Sequence, residues 1–446
     1  MDFNTFNIGF EDTDSSDGMC TTFLCYKLVK SLLADIENKT ELLDYPNLIR
    51  LNPNIPWKTR GNAGLAFRIR SNIPRRALFS TCKNFIQKFA TSERANAGLA
   101  IFEGDEIPEE IQNFSRRALY SVLGLREVRK LISNFEIESF ALRSKQGLVC
   151  ALASIGNLLE HDHTYELIAY RESTAFPRTI EKSKIIEMSE RTFPRTFSSY
   201  DSVYGRVMIA PHGPDPVLCG IRGETARDVK SAFEMLLPVR NLGGYMIFRS
   251  NQGTGEHLCE NIALDKQKAY ASGKLIGIVA STPKPERGGH VFFTIRNEDG
   301  KIPCACYQPT GDFRRLARFL TLGDAIEVGG GIRKSTSVHP KVLNLEYFRP
   351  IKLAMKTEFS NPRCPSCDVS MGSKGWGQGF ECPKCGFASK ELVKTITRQR
   401  RTELVKGKIY LPPIKAHRHL TKPEHRYFFR NKRKPLNLKL VDGWIK

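Results

Sequence analysis

Between residues 9 and 22 the chain runs Gly9-Phe10-Glu11-Asp12-Thr13-Asp14-Ser15-Ser16-Asp17-Gly18-Met19-Cys20-Thr21-Thr22. Asp12 and Asp14 stand two apart, so a turn brings both carboxylates to one point, and hydroxyls and backbone N–H groups follow them. Carboxylates hold hard cations and amides at a helix start hold phosphate, which is the logic of a Mg²⁺-nucleotide site. The same residue types also cap helices, and on residue types alone both readings stand. A second stretch, Pro56-Trp57-Lys58-Thr59-Arg60-Gly61-Asn62, offers Lys58 and Arg60 for phosphate charge. A third set is Pro211-His212-Gly213-Pro214-Asp215-Pro216, then Arg222-Gly223-Glu224, then Ser250 to His257. As a pocket it supplies carboxylates for a cationic ligand and amides for hydrogen bonds; ordinary loop chemistry uses the same residues. The fourth set is Cys364-Pro365-Ser366-Cys367 and Cys382-Pro383-Lys384-Cys385, fourteen residues apart. Each pair sits on a tight turn, and together Cys364, Cys367, Cys382 and Cys385 face one tetrahedral ion, so a structural Zn²⁺ is expected rather than a redox pair.

The elements around these residues predict an α+β multidomain protein. Residues 1–162 read as an α/β domain: a strand at 3–10, a helix at 23–33, a strand at 63–69 and further helices at 76–89, 108–123, 126–134 and 149–159. Within it Asn62-Ala63-Gly64-Leu65-Ala66 is echoed by Asn96-Ala97-Gly98-Leu99-Ala100. Small residues of this kind mark close backbone packing, or else Asn62 and Asn96 present equivalent polar ends to one cleft. Residues 163–260 run strand 164–171, helix 180–191, strand 206–210, strand 217–221, helix 226–237, strand 245–249. That β-α-β-β-α-β order is ferredoxin-like. Residues 268–352 show five strand runs with a helix between the third and fourth, the layout of an OB-fold β-barrel. A zinc ribbon at 358–395 and a basic C-terminal tail at 396–446 follow.

Net charge is +21, which favours a polyanion such as nucleic acid. From residue 394 onward sixteen Lys or Arg stand against three acids, with Tyr410, Tyr427, Phe428, Phe429 and Trp444 interleaved. That mixture predicts RNA contact through phosphate charge and base stacking, with a solvated appendage as the alternative. No apolar run reaches the length needed to cross a bilayer and no basic-then-apolar leader is present, so a cytoplasmic protein with no membrane partner is expected. The remaining eight of twelve cysteines are scattered and read as buried thiols.

Taken together, the Glu11-Asp12-Thr13-Asp14-Ser15 turn, the 56–62 stretch, the 211–224 motifs, Asn251-Gln252-Gly253-Thr254, the OB barrel and the ribbon closely resemble the archaeal tRNA-Ile 2-agmatinylcytidine synthetases. The resemblance runs in order from about residue 3 to 386; beyond about 395 no motif matches. It implies a ligase that modifies the wobble cytidine of a tRNA-Ile with a CAU anticodon. ATP activates carbon 2 with release of pyrophosphate, agmatine displaces AMP, and the tRNA decodes AUA. It also implies that the first domain is kinase-like and handles ATP, that the ferredoxin-like domain helps to bind agmatine, and that the barrel and ribbon grip the tRNA. On this resemblance Asp12, Asp14, Lys58, Arg60 and Thr21 are the expected catalytic residues. Asp12, Thr13, Asp14, Ser15, Gly18 and Asn62 are expected at ATP and Mg²⁺, and Asp215, Arg222 and Glu224 at agmatine. No obligate protein partner is expected. Two positions depart from the family pattern: Glu11 replaces an expected Asp, and Gly255 replaces an expected Asp. Two rival readings are a non-catalytic single-stranded nucleic-acid binding protein and another ATP-dependent RNA-modifying enzyme on the same scaffold. The first leaves the acidic turn and Lys58–Arg60 unexplained.

Overall fold

The computed structural model describes residues 3–14, 19–58, 61–90, 95–337, 339–399, 401–432 and 439–446. The first unit contains β1 (Asn4–Glu11), α1 (Thr21–Leu33), β2 (Thr40–Leu42), β3 (Asn47–Arg50), β4 (Ala63–Ser71), α2 (Arg75–Phe89), β5 (Gly98–Glu103), α3 (Glu109–Ala118), α4 (Leu125–Asn134), β6 (Glu138–Ala141) and α5 (Gly147–Gly156). Alternation in β1 sends Phe6, Ile8 and Phe10 into a core with Leu24 and Leu28 of α1 and Leu78, Cys82 and Ile86 of α2. The opposite face of the sheet is covered by α5, which lies on the backbone itself. A Cβ on Gly64 would fall 2.0 Å from Ser154 Oγ, and one on Gly98 would fall 2.3 Å from the carbonyl carbon of Gly147. The repeated Asn-Ala-Gly stretches are therefore close-packing sites under one helix. The two asparagines differ in use: Asn62 Nδ2 donates to Asn52 O at 2.8 Å, whereas Asn96 Oδ1 accepts from Ser144 N at 3.3 Å.

The second unit contains β7 (Thr164–Arg171), α6 (Lys182–Thr192), β8 (Thr196–Phe197), β9 (Tyr200–Asp201), β10 (Arg206–Val207), β11 (Val217–Gly223), α7 (Ala226–Glu234) and β12 (Leu242–Ser250). Its sheet order, β12-β7-β11-β8, is ferredoxin-like. The edge strand is not the expected segment at 206–210. Thr196 and Phe197 take that place on Gly223 and Arg222, and Arg206–Val207 folds back on Tyr200–Asp201 as a separate ribbon. A two-residue strand leaves no alternation to read, which is why the sequence pointed past it.

The two units share one ten-stranded sheet, β6-β5-β1-β4-β3-β12-β7-β11-β8 with β2 on β4. The join is a parallel pairing of Asn47 with Arg249 and Leu48 with Ser250. Asn251 extends it, accepting from Arg50 N at 2.8 Å and donating to Arg50 O at 2.9 Å. Beneath it Arg249, fully buried, pairs with Asp44 at 2.9 Å and donates to Leu159 O at 2.9 Å.

A closed barrel follows: β13 (Ser272–Val279), β14 (Lys284–Pro285), β15 (Val291–Asn297), β16 (Gly300–Cys306), α8 (Asp312–Ala317), β17 (Ala325–Arg333) and β18 (Val342–Lys352). The circuit β13-β17-β18-β16-β15 closes by β13 pairing with β15, as in an OB-fold. The ribbon is an excursion on a two-stranded stem, β19 (Lys356–Ser360) against β23 (Thr395–Gln399), with β20 (Gly372–Ser373), β21 (Phe380–Glu381) and β22 (Ala388–Ser389) between. On its return Arg401 grips Asp324 with both Nη atoms at 2.6 Å.

Along its described length the basic tail is packed on the rest of the chain and is not a solvated appendage. It is a strap. Tyr410 stacks on Phe348 in the barrel core, with ring centroids 4.9 Å apart. His419 O and Leu420 O accept from Gly253 N and Gly255 N at 2.9 and 2.8 Å. Lys422 then reaches Asp162 at 2.8 Å, and Arg426 reaches Asp162 at 2.9 Å and Glu224 at 2.6 Å. Finally residues 444–446 pair with Tyr245 and Ile247, the part of β12 that β3 leaves open. Of the interleaved aromatics, Tyr410, Tyr427 and Trp444 pack on protein rings, and Phe428 and Phe429 stay exposed.

Two expectations follow. Replacing Arg426 by Leu leaves Asp162 and Glu224 facing a buried apolar chain, so urea unfolding should show a loss of about 3–5 kcal/mol; an unchanged midpoint would show that the clamp is dispensable. Glu256 sits beside the strap, and burial, aided by Asp162 and opposed by Asn251, Lys422 and Arg430, pushes its carboxyl up to about 7. Its folded state keeps a proton that the unfolded chain releases near 4.5, so the fold loses stability as pH rises from about 4.5 to about 7. Glu256→Gln removes that loss: the variant should match the parent near pH 4.5 and exceed it by about 1–3 kcal/mol at about pH 8. A pH-independent difference would contradict this.

Candidate active site

Asp12 has a left-handed backbone, φ 56°, a conformation that Asp tolerates better than most residues. This kink at the end of β1 turns the chain towards α1. Asp14 then accepts from Thr21 N at 2.7 Å and from Thr21 Oγ1 at 2.9 Å, and Thr13 Oγ1 donates to Thr21 Oγ1 at 3.2 Å. Asp14 thus caps the first turn of α1, so the capping reading holds. It also lines a cavity of about 370 Å³, together with Glu11, Asp12, Cys20 and Thr21.

The cavity lies at the join of the two units. β3 and β4 contribute Arg50 and Ala63, with Gly61 just before β4. β7 and β11 contribute Glu166 and Arg222, the loop before β11 contributes Asp215, and the strap contributes His417, Arg418 and His419. Asp215 is buried; its Oδ1 accepts from Val217 N at 3.1 Å and from Arg178 Nη2 at 3.2 Å. Arg222 donates through Nε to Glu166 at 3.3 Å and through Nη2 to His419 Nδ1 at 2.7 Å. Gln252 Nε2 also donates to Glu166.

Of the expected site residues, Asp12, Asp14, Thr21, Asp215 and Arg222 line this cavity and Thr13 supports it from behind. Asn62 is buried nearby without lining it, and exposed Lys58 turns back on Pro53 O. Glu224 lies past the end of β11 and is occupied by Arg426, outside the cavity lining. Ser15, Gly18 and Arg60 lie outside the described residues. Asn251 and Gln252 are used on Arg50 and Glu166 respectively. Gly255 has φ 72° and donates to the strap, so its departure from Asp falls at a left-handed turn outside the cavity lining.

Sequence reasoning missed Arg50, Glu166 and the strap residues. The signal for Glu166 was a lone acid inside the apolar run Thr164 to Arg171; Arg50 similarly ends the apolar run from Asn47. Charge is polarised across the cavity. At the acidic end burial, then Asp12 and Asp14, holds the Glu11 carboxyl well above the usual carboxylate range. Burial and Asp14 push the Cys20 thiol up to about 11, so it carries no thiolate at neutral pH. At the basic end burial lowers Arg50 to about 10, and burial, then Arg50 and Arg222, holds His419 well below its ordinary value, hence neutral. Such a cavity suits a cation-bearing group at one end and an anionic group at the other.

In the ribbon, Cys364 and Cys385 sulfurs lie 3.5 Å apart, Cys367 and Cys382 3.3 Å, and all four Sγ atoms fall within 4.8 Å of one another. Zn–S bonds of about 2.3 Å in a tetrahedron require S···S edges of about 3.8 Å, so the four thiols fit one zinc ion.

Family models match three stretches: the TiaS TCKD domain at residues 7–144, the TiaS FLD domain at 145–257 and the TiaS C-terminal zinc ribbon domain at 361–402. A tRNA-Ile 2-agmatinylcytidine synthetase TiaS from Cenarchaeum symbiosum is 39% identical over 419 residues, 94% of this chain and 92% of the relative. The one from Pyrococcus horikoshii is 38% identical over 423 residues, 94% and 96% of the two chains. A crystal structure of a TiaS in complex with its tRNA-Ile and ATP superposes with a TM-score of 0.83 at 33% identity, covering 95% of this chain and 97% of that one. A complex of TiaS with tRNA-Ile, AMPCPP and agmatine gives 0.81 at 32% identity, covering 96% and 99%.

The ribbon is too small to bury a core, so metal binding is folding there. Elemental analysis should find about one zinc per chain, and Cys382→Ser should lose it and open the ribbon to protease while the large sheet stays folded. A ribbon that resists protease without zinc would overturn the assignment.

Proposed function

The chain belongs to the TiaS family of tRNA-Ile 2-agmatinylcytidine synthetases, and we propose that it uses ATP to join agmatine to carbon 2 of the wobble cytidine of a tRNA-Ile with a CAU anticodon. The observation that carries this reading is one cavity holding both the acidic turn of the first unit and Asp215 of the second. In the proposed reaction the cytidine O2 attacks the α-phosphorus of ATP and pyrophosphate leaves. The primary amine of agmatine then attacks carbon 2, the C2–O bond breaks and AMP departs. The CAU anticodon is thereby converted to decode AUA, in the cytoplasm where the tRNA is used.

In this reading residues 1–162 bind ATP and 163–260 bind agmatine. The barrel at 268–352 and the ribbon at 358–395 hold the tRNA, and the net charge of +21 supports a polyanionic partner. Asp12 and Asp14 would hold Mg²⁺, which supplies charge neutralisation on the triphosphate. The Thr21 hydroxyl, already oriented by Asp14 and Thr13, serves the same group. Lys58 and Arg60 serve phosphate charge, with Ser15, Gly18 and Asn62 on the nucleotide side. Agmatine is a dication, so Asp215 is its natural anchor. Arg222 repels it and is better placed at the basic end, facing an anionic group; Glu224, neutralised by Arg426, serves the strap.

Purified protein given this tRNA-Ile, ATP and agmatine should form AMP and pyrophosphate in step with agmatinylated nucleoside, detected by mass spectrometry. Asp14→Asn should lower kcat by about 10²-fold or more. Asp215→Asn should raise the KM for agmatine about tenfold while leaving that for ATP unchanged. Release of ADP instead of AMP, or ATP cleavage indifferent to tRNA, would sink the reading in favour of another ATP-dependent enzyme.

A further inference from the structure

The basic end of the cavity contains donors with no acceptor among the described residues. Arg50 Nε and Arg418 Nη1 are buried nitrogens without a hydrogen-bond partner among the described residues. Such groups are costly, and in a folded protein they mark strain or a missing ligand. His419 adds a third donor. Its Nδ1 lies 2.7 Å from Arg222 Nη2, a guanidinium nitrogen that can only donate. Gln252 Oε1, 3.0 Å from the same Nδ1, would favour the opposite tautomer. The shorter contact, to a charged group with no acceptor, decides between them. Nδ1 therefore carries the lone pair, and on the neutral ring Nε2 carries the hydrogen. Arg50 and His419 meet at Gly61: a Cβ built there would fall 2.5 Å from Arg50 Nη1 and 3.1 Å from His419 Nε2. Gly61, having no side chain, lets both donors close on its backbone, and any side chain there would push them aside.

Three guanidinium groups, from Arg50, Arg222 and Arg418, line this cavity, and the sequence splits them among β3, β11 and the strap. Glu166 offsets Arg222, and Glu346 offsets Arg418 at 3.4 Å while also accepting from His257 at 2.9 Å. Arg50 also feels Glu166 and Asp14 across the cavity. The remaining character is one net positive charge with directed N–H groups, which matches a tetrahedral oxyanion.

We propose that Arg50, Arg222, Arg418 and His419 form a phosphate-binding site, with His419 a neutral hydrogen-bond donor contributed by the strap. The inference rests on the cavity being the site of agmatinylcytidine synthesis. The phosphate belongs either to the nucleotide or to the tRNA backbone beside the modified base, and the two sources share this chemistry. The strap is then part of the catalytic wall, not only a fastening.

The test is steady-state kinetics on the full chain with tRNA-Ile, ATP and agmatine, comparing the parent with Gly61→Ala, His419→Phe and His419→Gln. Ala at 61 meets only the far ends of two side chains, so this variant keeps the fold and displaces the Arg50 and His419 donors. Gly61→Ala and His419→Phe should raise the KM for ATP, or for tRNA, about tenfold or more, whereas His419→Gln, which keeps an N–H donor, should stay within about threefold. The KM for agmatine should not move. A rise confined to ATP assigns the nucleotide phosphate, and one confined to tRNA assigns the backbone phosphate. If both KM values stay at the parent level in Gly61→Ala and in His419→Phe, the site does not exist. If His419→Gln is as damaged as His419→Phe while both melt like the parent, the donor role falls and a base role replaces it. Should His419→Phe unfold, Gly61→Ala decides. An inactive parent would refute the proposed function itself, a separate outcome from an active parent with indifferent variants.

Discussion

A guanidinium with no exposed surface has given up its hydration, and only a full set of acceptors makes that tolerable. Arg426 is such a group. It meets Asp162 at 2.9 Å, Glu224 at 2.6 Å, and the carbonyls of Gly253 and His163 at 2.6 and 3.3 Å. Asp162 lies between α5 and β7, and Glu224 and Gly253 follow strands of the second unit, so one strap residue is bound to several separate elements. Between Tyr410, seated in the barrel core, and Arg426 the chain is pinned at both ends. Residues 417–421 in that span make one wall of the cavity. The cavity has its shape because the strap is fastened, and the strap is fastened because this charge cannot leave its acceptors.

The opposite wall is set by backbone pairing. β3 meets β12 through only two register pairs, and Asn251 prolongs the join with two further bonds to Arg50. Arg50 is held by main-chain pairing on one side of the join, and Glu166 sits on the next strand across. The distance between the acidic turn and Asp215 is therefore governed by a buried sheet and the Arg249–Asp44 pair beneath it, not by a hinge between two bodies. For a reaction that needs a nucleotide, a base and an amine in one place, such fixed spacing is the property that lowers the entropic barrier.

What the sequence made legible follows from how local each signal is. The acidic turn, the Cys-x-x-Cys pairs and the five-strand barrel each depend on neighbours within one element or one circuit, and each emerges in the structure as a unit. Glu224 and Asp215 look alike in sequence, both acids in a polar turn, but Arg426 and Arg178 decide their surroundings from 202 and 37 residues away. The second ferredoxin strand is two residues long and carries no period. The strap was the largest loss: its basic residues read as an RNA-facing run, because the acids that bind them, Asp162, Glu224 and Asp324, lie at least 77 residues distant. Charge counting within a segment cannot see partners outside it.

The same reasoning explains why the cavity holds opposite anomalies at its two ends. Glu11 keeps its proton because burial and two neighbouring carboxylates penalise another negative charge, and His419 stays neutral because burial and two guanidinium groups penalise another positive one. Both are responses to like charges crowded out of water. Relief across the cavity is partial: Arg50 feels Asp14, yet Arg50 Nε and Arg418 Nη1 find no acceptor among the described residues. A cationic group at the acidic end and an anionic group at the basic end would each bring the charge that its end lacks. Filling the site with opposite charge is then an electrostatic relaxation of the protein as much as an attraction of the ligand.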